Sequence, residues 1–233
     1  MKKFIVSVFV LSFFLFVGCG EEHANGGKGR PEEQIVYKGE PEVWNFDNEK
    51  QGEIAGGFSN QVTGKGGPGR WEVIKDDTAP GISNVIAQTS QEYFGYHFSM
   101  AINDKEIYDD FEFIVRFKGV KGREDQGGGP VWRYQDNNNY YIARANPLED
   151  NFRVYKVVDG KRIKMDSVRL EITGNEWHTI KILARENEIQ CFYDEQLYLE
   201  VTDDTFLAKG KIGLWTKADA VTYFDDLEIR PME

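Results

Sequence analysis

The sequence predicts an all-β domain, a two-sheet sandwich or barrel. Short runs of alternating apolar and polar residues recur between residues 43 and 229, and the segments between them are rich in Gly, Asp and Asn. No stretch keeps a 3.6-residue apolar period beyond about one turn. Many short strands separated by turn residues fit two packed sheets or a closed sheet.

The first 18 residues stand apart from that domain. Lys2 and Lys3 precede an apolar run, IVSVFVLSFFLFV, that ends in a small residue and Cys19, the pattern of an export signal. The Val17-Gly18-Cys19 junction resembles that of bacterial lipoproteins, with Phe16 where such junctions usually carry Leu. The resemblance implies that residues 1–18 are removed and that Cys19 is lipidated. The protein is then expected in the cell envelope, anchored to a membrane at the periplasmic face of the outer membrane or at the cell surface. Without residues 1–18 the chain has 26 basic against 39 acidic residues, a balance of −13, which argues against a nucleic-acid partner. Cys191 is the only cysteine besides Cys19, so the domain has no disulfide framework and rests on its apolar core. Residues 19–41, rich in Gly, Glu and Pro, read as a flexible tether, with His23 a solvated residue in it.

The domain is expected over residues 42–233. A first strand is read at 43–46, followed by a Gly-rich connection from Gly52 to Gly69 and a strand at 71–74. Further strands are expected at 84–88, 93–100, 111–118, 177–184, 188–193, 196–201, 211–216 and 221–229. The densest stretch is 130–162, PVWRYQDNNNYYIARANPLEDNFRVYKVVDGKR. Strands at 131–135 and 139–145 flank the turn Asp136-Asn137-Asn138, and a third at 152–158 ends at the hairpin pair Asp159-Gly160. Alternation places Arg133, Arg144, Arg153 and Lys156 against Trp132, Tyr140, Tyr141 and Tyr155 across two faces, one of them a polar, aromatic floor. Arg133 or Lys156 is expected beside Arg144. Trp177, Ile180, Ile182 and Ile189 are expected within the sandwich.

The second half carries features in a recognisable order: a strand opened by Trp (EWHTIKI), a hairpin at Asp194-Glu195, GLWTKAD, and a closing FDDLEI. This order resembles the concanavalin A-like lectin and glucanase jelly roll, including laminin-G-like domains. It implies a two-sheet antiparallel jelly-roll sandwich. More narrowly, VWRYQDNNNYYIARANPLEDN, DGKR, EWHTIKI and GLWTKADAVTYFDDL resemble the 3-keto-disaccharide hydrolase domain family, described as family 16 glycoside hydrolase-like, over about residues 42–230. Asp194-Glu195 stands where Asp-Gly is usual in that hairpin.

The resemblance implies action on carbohydrate, with an exported glycoside-cleaving domain as the first reading and a non-catalytic glycan-binding lipoprotein as the second. A family 16 glycosidase needs acidic residues on alternate positions of one strand, so that nucleophile and acid flank one glycosidic bond about 5 Å apart. This chain has no such run. EIYDDFE at 106–112 and DDLE at 225–228 have the wrong spacing. A 3-keto sugar changes the requirement. Its carbonyl acidifies the neighbouring C–H, and the glycosidic bond breaks by elimination with one base, an enolate stabiliser and an acid for the leaving oxygen. His178, Arg144 and Lys217 are candidates for those roles, each with a structural alternative: a packed histidine, a structural ion pair, a surface Lys–Asp pair. Trp132, Arg133, Gln135, Tyr141, Asn146, Lys156, Trp215 and Asp219 are candidate sugar contacts, because rings stack on apolar sugar faces while polar side chains pair with hydroxyls. His97, between Tyr96 and Phe98, reads as structural. No cofactor is called for. Asp136, Asp150, Asp225 and Asp226 are at most the makings of an oxygen-ligand calcium site between strand ends.

Overall fold

The computed structural model describes residues 35–233, apart from Ile82 and Glu106. The export signal, Cys19 and residues 20–34 of the expected tether lie outside the described residues, as does Glu106 of the run EIYDDFE. Fifteen strands follow in order: β1 (Glu42–Trp44), β2 (Phe58–Gly64), β3 (Trp71–Lys75), β4 (Asn84–Gln88), β5 (His97–Asn103), β6 (Phe111–Lys121), β7 (Gly128–Asp136), β8 (Asn139–Asn146), β9 (Asn151–Val158), β10 (Lys161–Arg169), β11 (His178–Arg185), β12 (Glu188–Tyr193), β13 (Gln196–Thr202), β14 (Lys211–Lys217) and β15 (Val221–Pro231). One sheet runs β13-β12-β11-β6-β15-β4-β3, with β1 added on β15, and the other runs β10-β9-β8-β7-β14-β5-β2. All of these strand pairs are antiparallel. The architecture is the expected all-β two-sheet sandwich.

Period-two alternation sorts the side chains of the seven-stranded sheet. Tyr141, Ala143 and Ala145 of β8, Phe152 and Val154 of β9, and Ile212 and Leu214 of β14 join the core between the sheets, with Ile180, Ile182 and Ile189 from the facing sheet. The alternate residues form a second buried cluster on the other side of the seven-stranded sheet: Tyr140 and Ile142, Tyr155 and Val157, Trp215, Phe98 and Met100. Arg144, Arg153 and Lys217 share the parity of this second set.

Several elements depart from the sequence reading, each because a tertiary partner decided. β2 forms inside the Gly-rich connection and pairs along its whole length with β5, Phe58 opposite Asn103 through Gly64 opposite His97. β5 starts four residues later than expected, at His97, leaving Tyr93, Phe94 and Tyr96 in the preceding loop. β10 pairs back on β9 across Asp159-Gly160, whose φ angles of 49° and 74° are those of a tight hairpin turn. Trp177, expected in the core, precedes β11 and lies partly exposed with Lys118 Nζ 5.6 Å from its ring centroid. Pairing also begins before residue 42. The Lys38 amide donates to Pro231 and the Glu233 amide to Val36, so Val36–Lys38 belong to the folded unit and not to a tether.

Candidate functional site

The charge-dense part of the molecule is built around Arg144, on the outer side of the seven-stranded sheet. Its Nη1 donates to Asp125 Oδ2 at 2.9 Å, and its Nη2 donates to Glu149 Oε2 at 2.7 Å and Asn151 Oδ1 at 2.8 Å. Arg144 is 1% and Asp125 0% exposed, so this is a buried ion pair. Small neighbours, Ala143 and Ala145, point to the other face and leave the guanidinium to extend toward the β6–β7 connection. Asp125 is held there by its own turn, accepting from the Gly127 amide at 2.8 Å, and by Asn146 Nδ2 at 3.1 Å.

Asp219, in the loop after β14, accepts the amides of Arg123, Glu124 and Asp125 at 2.7, 3.0 and 3.2 Å. It thereby pins the Asp125 loop to the end of β14, where Lys217 Nζ lies 3.3 Å from both Glu124 Oε1 and Asp125 Oδ2. Burial pushes the Asp125 carboxyl up from its ordinary value, opposed by Arg144 and Lys217. Burial also disfavours the Arg144 cation, but Asp125, Tyr155 and Glu149 outweigh it and raise its pKa. For Glu149, burial is outweighed by Arg144, Asn151 and Arg153, which hold the carboxyl below its usual range. For Asp219, the three amides outweigh burial and lower its pKa.

An aromatic floor adjoins this nest. Phe98 and Trp215 pack with ring centroids 5.1 Å apart, and Tyr155 lies with its centroid 5.9 Å from the Arg144 guanidinium carbon. Arg162, from β10, lies over the rings of Tyr155, Phe98 and Trp215. At the rim, Phe94 and Tyr96 are about half exposed, and the Arg123 guanidinium sits 5.3 Å from the Phe94 centroid. Phe98, Trp215 and Tyr155 are buried beneath Arg162, so the apolar ring faces open to a sugar here are those of Phe94 and Tyr96, beside the fixed polar groups.

The structure brings together Arg144, Lys217, Asn146, Trp215 and Asp219 from the expected set. Asn146 and Asp219 support Asp125, whereas Trp215 belongs to the floor. The others go elsewhere. Trp132 and Tyr141 stack at 5.6 Å inside the sandwich core. Arg133 has a φ of 44° in the irregular stretch of β7, which turns it off the floor. Its Nη1 donates to the Phe206 carbonyl and its Nη2 to Asp110. Gln135 bonds the carbonyls of Arg133 and Lys209. Lys156 has the inward parity of β9 and pairs with Asp203 at 2.6 Å. Neither Arg133 nor Lys156 therefore accompanies Arg144; Arg153, which shares Glu149 at 3.1 Å, and Arg162 do. His178 stands on β11 of the other sheet, with Nδ1 2.8 Å from Asp194 Oδ2, Nε2 3.0 Å from the Thr173 carbonyl and its ring stacked on Tyr193. Both its nitrogens are committed and no polar contact joins it to Arg144 or Lys217. His97 bonds the Gly67 carbonyl and stacks on Tyr93, as a structural histidine does.

Sequence reasoning passed over Asp125, Glu149 and Arg162. Glu149 and Asn151 were legible as polar turn residues five and seven positions after Arg144, but Asp125 lies in a Gly-rich loop with no periodic signal. Of the acids considered for calcium, Asp136 caps its own turn through the Asn138 amide, and Asp225 and Asp226 lie at an irregularity of β15. Among the described residues, no group of three or more His, Cys, Asp or Glu is arranged to hold a metal ion.

Comparison with known proteins decides the family. The family model for the 3-keto-alpha-glucoside-1,2-lyase-like domain matches residues 42–230. The chain belongs to this family. A protein of Methanocaldococcus jannaschii described only as uncharacterized is 28% identical over 130 residues, 54% of this chain and 55% of that one; the chain thus spans about half the length of the curated relative it matches. Among solved structures, a carbohydrate-binding module of family 66 from Bacillus subtilis superposes with a TM-score of 0.59 at 18% identity, covering 75% of this chain and 95% of the module. Domain 4 of AbnA, a family 43 extracellular arabinanase from Geobacillus stearothermophilus solved in complex with arabinotriose, gives 0.55 at 11% identity, covering 86% and 94%. At these identities the structural likeness speaks for a shared two-sheet sandwich fold.

Proposed function

We propose that this family member acts on a 3-keto-glycoside bound beside Lys217, at the outer edge of the seven-stranded sheet where the Phe94 and Tyr96 rings are exposed. The observation that carries the reading is the meeting of Lys217, Asp125, Glu124 and Arg144 at the edge of the Trp215–Phe98–Tyr155 floor. Elimination from a 3-keto sugar takes a proton from the carbon next to the carbonyl, so the enolate oxygen must be met by fixed positive charge in a site shielded from water. Lys217, 15% exposed, can reach that oxygen, and Glu124, 36% exposed and bonded to the Gly95 amide, can take the C–H proton and return it to the leaving glycosidic oxygen as the C–O bond breaks. Arg144 is committed to Asp125, Glu149 and Asn151, and serves as a positioning residue that sets Asp125 beneath Lys217.

The test is incubation of the full chain in detergent with native and 3-keto disaccharides, followed by product analysis. Release of an unsaturated keto sugar from the 3-keto substrate alone is the expected result, and Lys217→Gln should slow it by about 10²-fold or more. Binding of both sugars with no product favours the second reading, a glycan-binding protein. One feature of the site speaks for that reading: Asp125 and Glu149, the carboxylates next to Arg144, are both engaged by cations. The family 66 module and the arabinanase domain, by their descriptions a carbohydrate-binding module and an arabinotriose complex, accord with a sugar ligand in either case.

The location follows from Cys19. We infer a lipid-anchored envelope protein, so Cys19→Ser should abolish normal processing or release the protein from the membrane fraction. A mutant that is processed normally and remains membrane-bound would defeat this. Among the described residues no helix is long and apolar enough to cross a membrane.

A further inference from the structure

We propose that the ligand of this face is an acidic sugar and that Arg162 receives its oxyanion, a uronate carboxylate or a sulfate ester. The inference rests on the carbohydrate reading above. Arg162 stands at the start of β10 just after the Asp159-Gly160 turn, and Tyr96 fixes it there: the Tyr96 hydroxyl accepts from the Arg162 amide and donates to the Gly160 carbonyl at 2.9 Å. The guanidinium carbon then lies 4.6 Å from the Tyr155 centroid, 4.8 Å from Phe98 and 5.7 Å from Trp215. Ring faces attract a cation but do not replace a hydrogen-bond acceptor. Nη1 of Arg162 is buried and has no hydrogen-bond partner.

The acids around it are already taken. Asp125 pairs with Arg144 and Lys217, Glu149 with Arg144 and Arg153, and Glu124 with Lys217. Arg144, Arg153, Arg162 and Lys217 thus outnumber the three carboxylates by one, in a chain whose formal net charge is −11. Arg162 is the surplus cation. Burial, and then the charge of Arg144, push its pKa down from the ordinary value, and an incoming anion relieves both. A surface arginine at a hairpin tip finds water or a neighbouring acid, as Arg153 finds Glu149. A guanidinium with an unpaired donor, laid over buried rings and with no acid of its own, is matched by a ligand that brings the charge itself. A neutral sugar would offer only hydroxyl acceptors and leave the cation uncompensated.

The test is titration of the full chain in detergent at low ionic strength with methyl glucuronide, methyl glucoside 6-sulfate and methyl glucoside. At least one acidic sugar should bind about ten-fold or more tightly than the neutral one, and the favoured anion identifies the oxyanion source. Arg162→Gln should bring that ratio to near one. Arg162→Met, which keeps an apolar stem over the rings, serves if the Gln variant does not fold. A wild-type ratio near one, or a ratio that survives removal of the guanidinium, overturns the assignment while leaving the carbohydrate site standing. Failure to bind any of the three sugars likewise overturns the assignment, whereas the 3-keto-glycoside reading is overturned only by its own product assay.

Discussion

Arg133 and Arg144 come from neighbouring strands, β7 and β8, and both guanidinium groups are removed from solvent. Arg133 donates to the Phe206 carbonyl at 3.0 Å and to the Asp109 carbonyl at 3.5 Å, with Asp110 as its one acidic partner at 3.3 Å. It ties two loops to the sheet mostly through backbone, which any sequence supplies. Arg144 bonds only side chains, two carboxylates and an amide, and one of those carboxylates also meets Lys217. Equal burial therefore hides different roles. The guanidinium answered mostly by carbonyls joins loops to the sheet, whereas the one answered by carboxylates gathers the charged side chains around Asp125, the arrangement on which the proposed function rests.

The sharpest way to break this comparison is Arg144→Ala. It strands the Asp125 carboxylate in a buried place with Lys217 as its one remaining cation, and should cost about 3–5 kcal/mol in urea unfolding. It should also abolish ligand response, because Asp125 and Lys217 lose their common support. Adding Asp125→Ala should recover part of the stability and none of the ligand response. A single mutant as stable as the wild type and still responsive would mean that the nest does neither job. Arg133→Ala comes next, with a loss of about 3 kcal/mol for its charged hydrogen bonds. The protein that remains folded should bind its ligand with unchanged affinity. Weakened binding there would bring Arg133 back into the site.

How far the sequence could separate the two arginines shows what period and motif carry. Alternation in NYYIARA correctly divides Tyr141, Ala143 and Ala145 from Tyr140, Ile142 and Arg144, because an unbroken strand keeps its parity. The same rule fails for Arg133, since β7 is irregular between Trp132 and Asp136 and the backbone at Arg133 turns left-handed. Lys156 fails differently. Its parity is regular, but at the sheet's end the inward side is open enough for its ammonium to meet Asp203. WTKAD pointed to Lys217 and Asp219, whereas their shared partner loop, EDQGGG, is placed by three amide bonds to one aspartate. Contacts of that kind carry no period. β2 was hidden for a like reason: a strand with few apolar residues is decided by its partner, β5.

The smallest expected effect concerns pH, and it tests the Arg133 end of the molecule. Asp203 there accepts from Lys156 at 2.6 Å and from the Tyr141 hydroxyl at 2.6 Å, while that hydroxyl accepts the amide of Phe206, whose carbonyl serves Arg133. Burial pushes the Asp203 carboxyl up, but the hydrogen bonds from Lys156, Thr205 and Tyr141 outweigh it and bring the pKa down from 3.8 to about 2. A carboxylate whose pKa is lower in the folded than in the unfolded chain binds protons more readily when unfolded. Its stabilisation is therefore complete above the unfolded value and disappears as pH falls from about 4 through about 2. Since Lys156 is 21% exposed, solvent screens part of the pair, and the contribution should be about 1–2 kcal/mol. Asp203→Asn removes this titration. Wild type and variant, unfolded in urea at pH 6 and again near pH 2.5, should differ by that amount at the higher pH and by distinctly less at the lower. A gap that stays constant across the range would mean that Asp203 holds the Arg133 end by shape alone, and that the ion pair with Lys156 adds nothing.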